Sequence, residues 1–167
     1  VVSPEDVVRQ AELVVLAVPD DELAGLVAGL AATRTWQAGQ LVAHTSGRHG
    51  LEIYTPALEQ HVLGLALHPA MTFTGTALDL ERLVECCFGV TAPEPLRPVA
   101  EALVLEIGAE PVWIEESARP LYHAALAHGA NHLVTLIAQS LQALRAAGVE
   151  TPTRVLGPLV SAALDNA

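Results

Sequence analysis

Short apolar runs, each stopped by breakers or small polar residues, recur along the first two thirds of this chain. Leu13-Val14-Val15-Leu16-Ala17-Val18 ends at Pro19-Asp20, and residues 40–44 end at Thr45-Ser46-Gly47. Residues 62–67 run into His68-Pro69 in the same way. Runs of this length without polar alternation read as strands buried on both faces, as in a parallel sheet flanked by helices. Two further strands are predicted over 85–91 and 110–114. Ser3-Pro4-Glu5-Asp6 supplies a Ser cap, a Pro at the first helical position and acids in the first turn, predicting a short helix to about Gln10. Asp20 or Asp21 opens a helix carrying Leu23, Leu26, Val27 and Leu30 at helical spacing. Helices are also predicted over 51–60 and over 93–107, the latter ended by Gly108. Residues 69–80 read as loop. Strands alternating with helices predict an α/β fold with right-handed crossovers and a doubly wound parallel sheet over residues 1–115.

The pattern changes after Glu116. From Pro120 an apolar-periodic segment runs without a breaker to Gly148. At 1.5 Å per residue that is a helix roughly 42 Å long, which needs a long partner surface. Its apolar stripe is Leu126, Ala130, Leu133, Ile137, Leu141 and Leu144, and its polar stripe includes His128, Asn131, His132 and Thr135. Thr151-Pro152 opens another helix. An all-helical part, 116–167, therefore follows the α/β part, and the helix over 120–147 is a candidate homodimer spine.

Composition narrows the function classes. The chain is 51% apolar and 16% charged, which suits a packed core. A net charge of -11 disfavours nucleic acid or an anionic membrane as partner. No run is long and apolar enough to span a membrane, and no signal peptide is legible. The adjacent Cys86 and Cys87 suit neither a mutual disulfide nor a metal site, and a reducing cytoplasm is the natural compartment. Lysine is absent, so no lysine general acid is available.

Ligands of open α/β sheets bind beyond the carboxyl ends of the strands, and three such ends carry small, polar or imidazole groups here. The turn Ala17-Val18-Pro19-Asp20 offers backbone groups and a flat proline surface, or is simply a strand–turn–helix junction capped by Asp20. Thr45-Ser46-Gly47 lets backbone approach a flat ring, or caps the next helix as a hydroxyl turn. His68 can donate to a carbonyl or accept its proton, or serve structure alone. Asn131, a neighbour of His128 on one helix face, can hold a substrate through a donor and an acceptor. His123 stands two turns, about 12 Å, before Asn131, so the two can line one cleft but not touch one reacting atom. The histidines do not have zinc-site spacing, Ser46 lacks a nucleophile elbow, and neither Gly-x-Gly-x-x-Gly nor Gly-x-x-x-x-Gly-Lys occurs.

In order, Val-Leu-Ala-Val-Pro-Asp, His-Thr-Ser-Gly, Leu-His-Pro-Ala-Met-Thr-Phe and Tyr-His-Ala-Ala-Leu-Ala-His-Gly-Ala-Asn-His-Leu resemble one family. These are the Rossmann-like oxidoreductase homologues whose C-terminal half is the domain of unknown function 2520. They are similar in turn to pyrroline-5-carboxylate reductase and the 6-phosphogluconate dehydrogenase-like superfamily. The resemblance implies a Rossmann-type dinucleotide domain, here reading as truncated before its first strand and phosphate loop, followed by a helical domain that dimerises. It implies NADP or NAD as cofactor, with Ala17, Val18, Pro19, Asp20, Thr45, Ser46 and Gly47 on the nicotinamide side. It places His68 near a small-molecule substrate and Asn131 as the substrate-orienting residue, with His123 a further candidate. Related dehydrogenases carry a lysine one turn before the asparagine, and Ala127 stands there in this chain. The function expected is NAD(P)-dependent oxidation or reduction of a small carbonyl, imine or hydroxy acid. The rivals are a non-catalytic dinucleotide-sensing or dimerisation module and, behind it, a cofactor-independent isomerase or lyase using His68.

Overall fold

The computed structural model describes residues 2–166. Five strands, β1 (Leu13–Leu16), β2 (Leu41–His44), β3 (Leu63–Pro69), β4 (Cys87–Thr91) and β5 (Glu110–Trp113), lie in one sheet in the order of the sequence. The helices between them are α1 (Pro4–Val8), α2 (Asp20–Ala32), a 3₁₀ segment over Leu51–Gln60, α3 (Leu78–Val84) and α4 (Arg97–Ile107). Then come α5 (Arg119–Ala146) and α6 (Pro152–Asp165). Ser3 caps α1 by accepting the Asp6 N–H, and Gly108 ends α4 in the left-handed conformation at φ 86°, as the residue types predict.

Three of the expectations change. The sheet is parallel in β1–β2, β2–β3 and β4–β5, but β3 and β4 run antiparallel. The connection between them leaves at Pro69 and re-enters beside it, with the Ala70 N–H bonded to the Cys87 carbonyl at 2.9 Å. Its one helix, α3, has seven residues, about 10 Å, too short to travel back along a seven-residue strand of about 23 Å. That helix falls partly inside the stretch expected to be loop. Leu78, Leu80 and Val84 are all exposed, and Leu83 is the apolar residue of this helix that packs against the core. Asp79 organises its entry, accepting from the N–H groups of Thr74 and Gly75 and the Thr74 hydroxyl. Finally, β1 is not buried on both faces: Val14 and Leu16 are, but Leu13 and Val15 are exposed. β1 is the edge strand, and its outward face opens with Phe73 and Ile107 onto an apolar cavity of about 440 Å³.

The two sheet faces carry separate cores. On one, α2 and the 3₁₀ segment cover Val14, Leu16 and Val42 with Leu23, Val27 and Tyr54. On the other, α4 covers Ala43, Leu65, Phe88 and Val90 with Ala100 and Val104. Helices on both faces make the sheet doubly wound, as its strand pattern requires. The odd positions along β1–β3 thus point to one core and the even positions to the other, which puts His44, Ser46 and His68 on the face of Val14 and Leu16.

The chain divides into two compact units between Ala124 and Ala125, inside α5. Arg119 is the buried residue of α5, and it belongs to the first unit. In the second unit Ile137, Leu141 and Leu144 are half-buried, whereas Val134 and Leu136 of α5 and Val155 and Leu159 of α6 are exposed. Among the described residues no helix is long and apolar enough to cross a membrane, and no group of three His, Cys, Asp or Glu could hold a metal ion.

Candidate active site

The antiparallel β3–β4 pair sets His68 directly opposite Gly89. With no side chain at 89, Tyr122 from the first turn of α5 lies over the strand. A Cβ on Gly89 would fall 2.5 Å from the Tyr122 hydroxyl oxygen. There the Tyr122 hydroxyl meets His68 Nδ1 at 2.9 Å, with the two rings edge to face. His123, the next residue, brings its ring to 6.3 Å from that of His68. The β2 end completes the cluster. A Cβ on Gly47 would lie 2.6 Å from His123 Nδ1 and 2.8 Å from His68 Nε2. Gly47, His68, Tyr122 and His123 therefore converge from three chain segments.

Burial, then the nearby Arg119 guanidinium and the His123 ring, lowers the His68 pKa to about 4. At neutral pH His68 is an uncharged imidazole, able to donate through one ring nitrogen while the other accepts. Burial pushes the Tyr122 hydroxyl above its ordinary value, and Arg119 pulls the other way. The Tyr122 hydroxyl therefore holds its proton at neutral pH.

The other strand ends are more structural. His44 is fully buried: its Nδ1 accepts the Ser46 N–H, so its Nε2–H donates to the Gly50 carbonyl at 2.9 Å. Burial lowers its pKa to about 4. The Ser46 hydroxyl accepts the His49 N–H, the hydroxyl-turn reading of this segment. Thr45 is half-buried and its N–H donates to the Leu16 carbonyl. Ala17 and Pro19 are exposed and Val18 is half-buried, with Pro19 standing as the cap residue of α2. Asp20 opens α2 and lies 4.0 Å from Arg48. Asn131 is exposed on α5 in the second unit, its carbonyl accepting the Thr135 hydroxyl.

Two members of this neighbourhood escape a sequence reading. Tyr122 sits beside His123 in the motif, yet nothing local says that its hydroxyl reaches back to β3. Arg119 is one of eight scattered arginines, and is 0% exposed. Only a fold that packs the start of α5 on β4 distinguishes it from the surface ones.

Residues 1–69 match the model of the Rossmann-like domain, and residues 86–167 match that of the domain of unknown function DUF2520. The chain joins a Rossmann-like domain to a DUF2520 domain. The DUF2520 match contributes β4, β5 and the start of α5, so Tyr122 and His123 come from it while Gly47 and His68 come from the Rossmann-like match. No curated protein matches the sequence. Solved structures of the same fold include a Thermotoga maritima protein (TM-score 0.72, 23% identity, covering 93% of this chain and 58% of that one). The pyrroline carboxylate reductase of Plasmodium falciparum, solved with NADP bound, gives a TM-score of 0.71 at 13% identity over 99% of this chain and 61% of that one. The 3-hydroxyisobutyrate dehydrogenase of Mycobacterium tuberculosis gives 0.60 at 15% identity over 89% and 50%. The chain thus spans roughly half to three fifths of the length of these neighbours.

Proposed function

We propose that this Rossmann-like–DUF2520 chain carries the nicotinamide end and proton-transfer groups of an NAD(P)-dependent oxidoreductase acting on a small carbonyl, imine or hydroxy acid. The observation behind this reading is the hydrogen-bonded His68–Tyr122 pair at a strand end, with His68 Nε2 turned toward the side-chain-free Gly47. The glycine at 47 has a physical reason: it lets the His68 and His123 rings approach this strand-end backbone to distances that any Cβ would block. Val18, Pro19 and the Thr45–Gly47 backbone would hold the nicotinamide. When bound in its reduced form, that group supplies a hydride. His68 Nε2–H gives its proton to the substrate oxygen or nitrogen while Nδ1 takes the proton of the Tyr122 hydroxyl. The resulting phenolate regains a proton from water. His123 lines the same opening, and Asn131 is assigned substrate orientation from the resemblance alone.

Titrating the polypeptide with NADPH, NADH and reduced nicotinamide mononucleotide, while following backbone amides by NMR, tests this reading. Shifts centred on Val18 and Thr45–Gly47 are expected, and the mononucleotide isolates the nicotinamide end from any phosphate grip. Amides there that stay put with all three probes would overturn it and leave the dimerisation-module reading in its place.

The exposed apolar residues of α5 and α6 suit a homodimer through the long helix, and the two free cysteines suit a reducing cytoplasm. Sedimentation velocity should give twice the chain mass. Val134→Glu together with Leu159→Glu should return it to the monomer, whereas a wild-type monomer at high micromolar concentration contradicts the spine.

A further inference from the structure

We propose that Arg119 is the positioning residue of this site: its buried guanidinium ties the Ser46–Gly47 turn and strand β4 to the first turn of α5, and so sets where Tyr122 and His68 meet. The inference rests on reading His68 and Tyr122 as the proton-transfer pair.

A guanidinium is a rigid fork of five donors. In Arg119 one terminal nitrogen donates to the Ser46 carbonyl at 2.7 Å. The other donates to Thr91 Oγ1 at 2.9 Å and, at longer range, to the Gly89 carbonyl at 3.4 Å. Nε has no hydrogen-bond partner. Among the described residues no carboxylate comes within ion-pairing distance of this cation. A charge kept in a core without a directly paired carboxylate is costly, with Glu116 and Glu52 acting on it only at longer range. Its acceptors show what the arginine does instead.

Two of the three acceptors border the candidate site, and the third lies on β4 two residues beyond Gly89. Ser46 precedes Gly47, the residue against which His68 and His123 pack. Gly89 lies beneath Tyr122. The Thr91 hydroxyl gives its own proton to the Ile114 carbonyl at 2.6 Å, which leaves its oxygen turned to accept from Arg119. Along α5, positions 119, 122 and 123 are neighbours on one helix face, so a fork fixed at 119 fixes the two rings above it. One turn earlier, Glu116 makes a second tie, to the start of the 3₁₀ segment that follows the Ser46–Gly47 turn, by accepting the Glu52 N–H at 3.1 Å. The charge works in the same sense as the geometry. It opposes protonation of His68 and favours the phenolate of Tyr122, as proton transfer from Tyr122 through His68 requires.

The test is a histidine NMR titration of the polypeptide without cofactor, with the His68 resonance assigned by His68→Asn. In Arg119→Met the proton affinity of His68 should rise about tenfold toward the ordinary imidazole value. In Arg119→Lys the charge stays but the fork is lost. His68 should then titrate near its wild-type midpoint while the Gly47 amide and Tyr122 ring resonances move. Folded Arg119→Met with His68 and Gly47 as in wild type overturns the proposal. If Arg119→Met does not fold, Arg119→Lys decides: unmoved Gly47 and Tyr122 resonances overturn it, and displaced ones support it. Because no dinucleotide is present, a chain that fails to bind NADPH can still pass this test, and the two failures are separable.

Discussion

His68→Asn should lower NADPH-linked turnover by about 10² to 10⁴, the range spanned by a positioned general acid. Dinucleotide affinity should change little, because the strand-end backbone and not the imidazole is assigned to the cofactor. Asparagine keeps a donor near the substrate but has no second ring nitrogen to take the Tyr122 proton, so the hydrogen bond of 2.9 Å and the transfer are lost together. Tyr122→Phe isolates the second half of that step and should cost less, since His68 can still donate a hydrogen bond without passing a proton on. The two changes should not add: once His68 is replaced, the tyrosine has nothing to relay through and its removal costs little more. The pH profile carries a sign. With a His68 pKa of about 4 the acting imidazole is neutral, so turnover should stay level from pH 8 to 5 and fall only as His68 protonates. A profile that falls between pH 6 and 7 would mean a charged His68 or a different acid. Full turnover in both single variants would remove the pair from the mechanism.

Lowering the pH from 7 to 4.5 should strip about 2 kcal/mol of stability through His44 alone. Its pKa is about 4 in the fold, against an unfolded value near 6.5, because it is buried; the Gly50 carbonyl bond pulls the other way and the Arg119 charge lowers it further. A depressed histidine pKa means that the unfolded chain binds the extra proton across that window. The stability is therefore fully present above about 6.5 and drains as pH falls toward 4. His68 acts in the same direction. The lowered carboxyl of Asp79 has its window below the usual carboxylate value, so it does not blur the first step. Urea midpoints recorded from pH 7 to 4.5 should fall for the wild type and fall about half as far for His44→Leu, where His68 still titrates; that variant is itself destabilised at pH 7 by the lost Gly50 bond. A wild-type midpoint that is level over this range would show that His44 titrates normally.

Much of this architecture is legible in the chain because local rules act locally. The Ser3-Pro4 start, the Gly108 stop, the strand runs ending at Thr45 and His68, and the long helix after Glu116 all follow from residue types within a few positions of each other. The exceptions share a cause. Helix α3 has only seven residues, too short a run for its apolar spacing to separate it from loop. The antiparallel turn of β4 depends on the length of a connection, not on the strand's composition. Val15 reads as a core residue, and its exposure follows from the edge position of β1.

The candidate site divides in the same way. Gly47, His68 and His123 stand out by type and by position at strand ends or a helix start, and the structure brings these three together. Asn131 stands out equally, yet it lies on the far side of the division within α5, where sequence spacing gives only its distance along the helix. Tyr122 and Arg119 needed the fold, because a hydroxyl 54 residues from its imidazole and a guanidinium 73 residues from its carbonyl are contacts between segments. The sequence by itself determined the alternation of buried runs and caps, hence the α/β sheet and the helical end. Only tertiary packing decided which face each strand end presents and which arginine is entombed, because those depend on what lies across the sheet and not on what lies next in the chain.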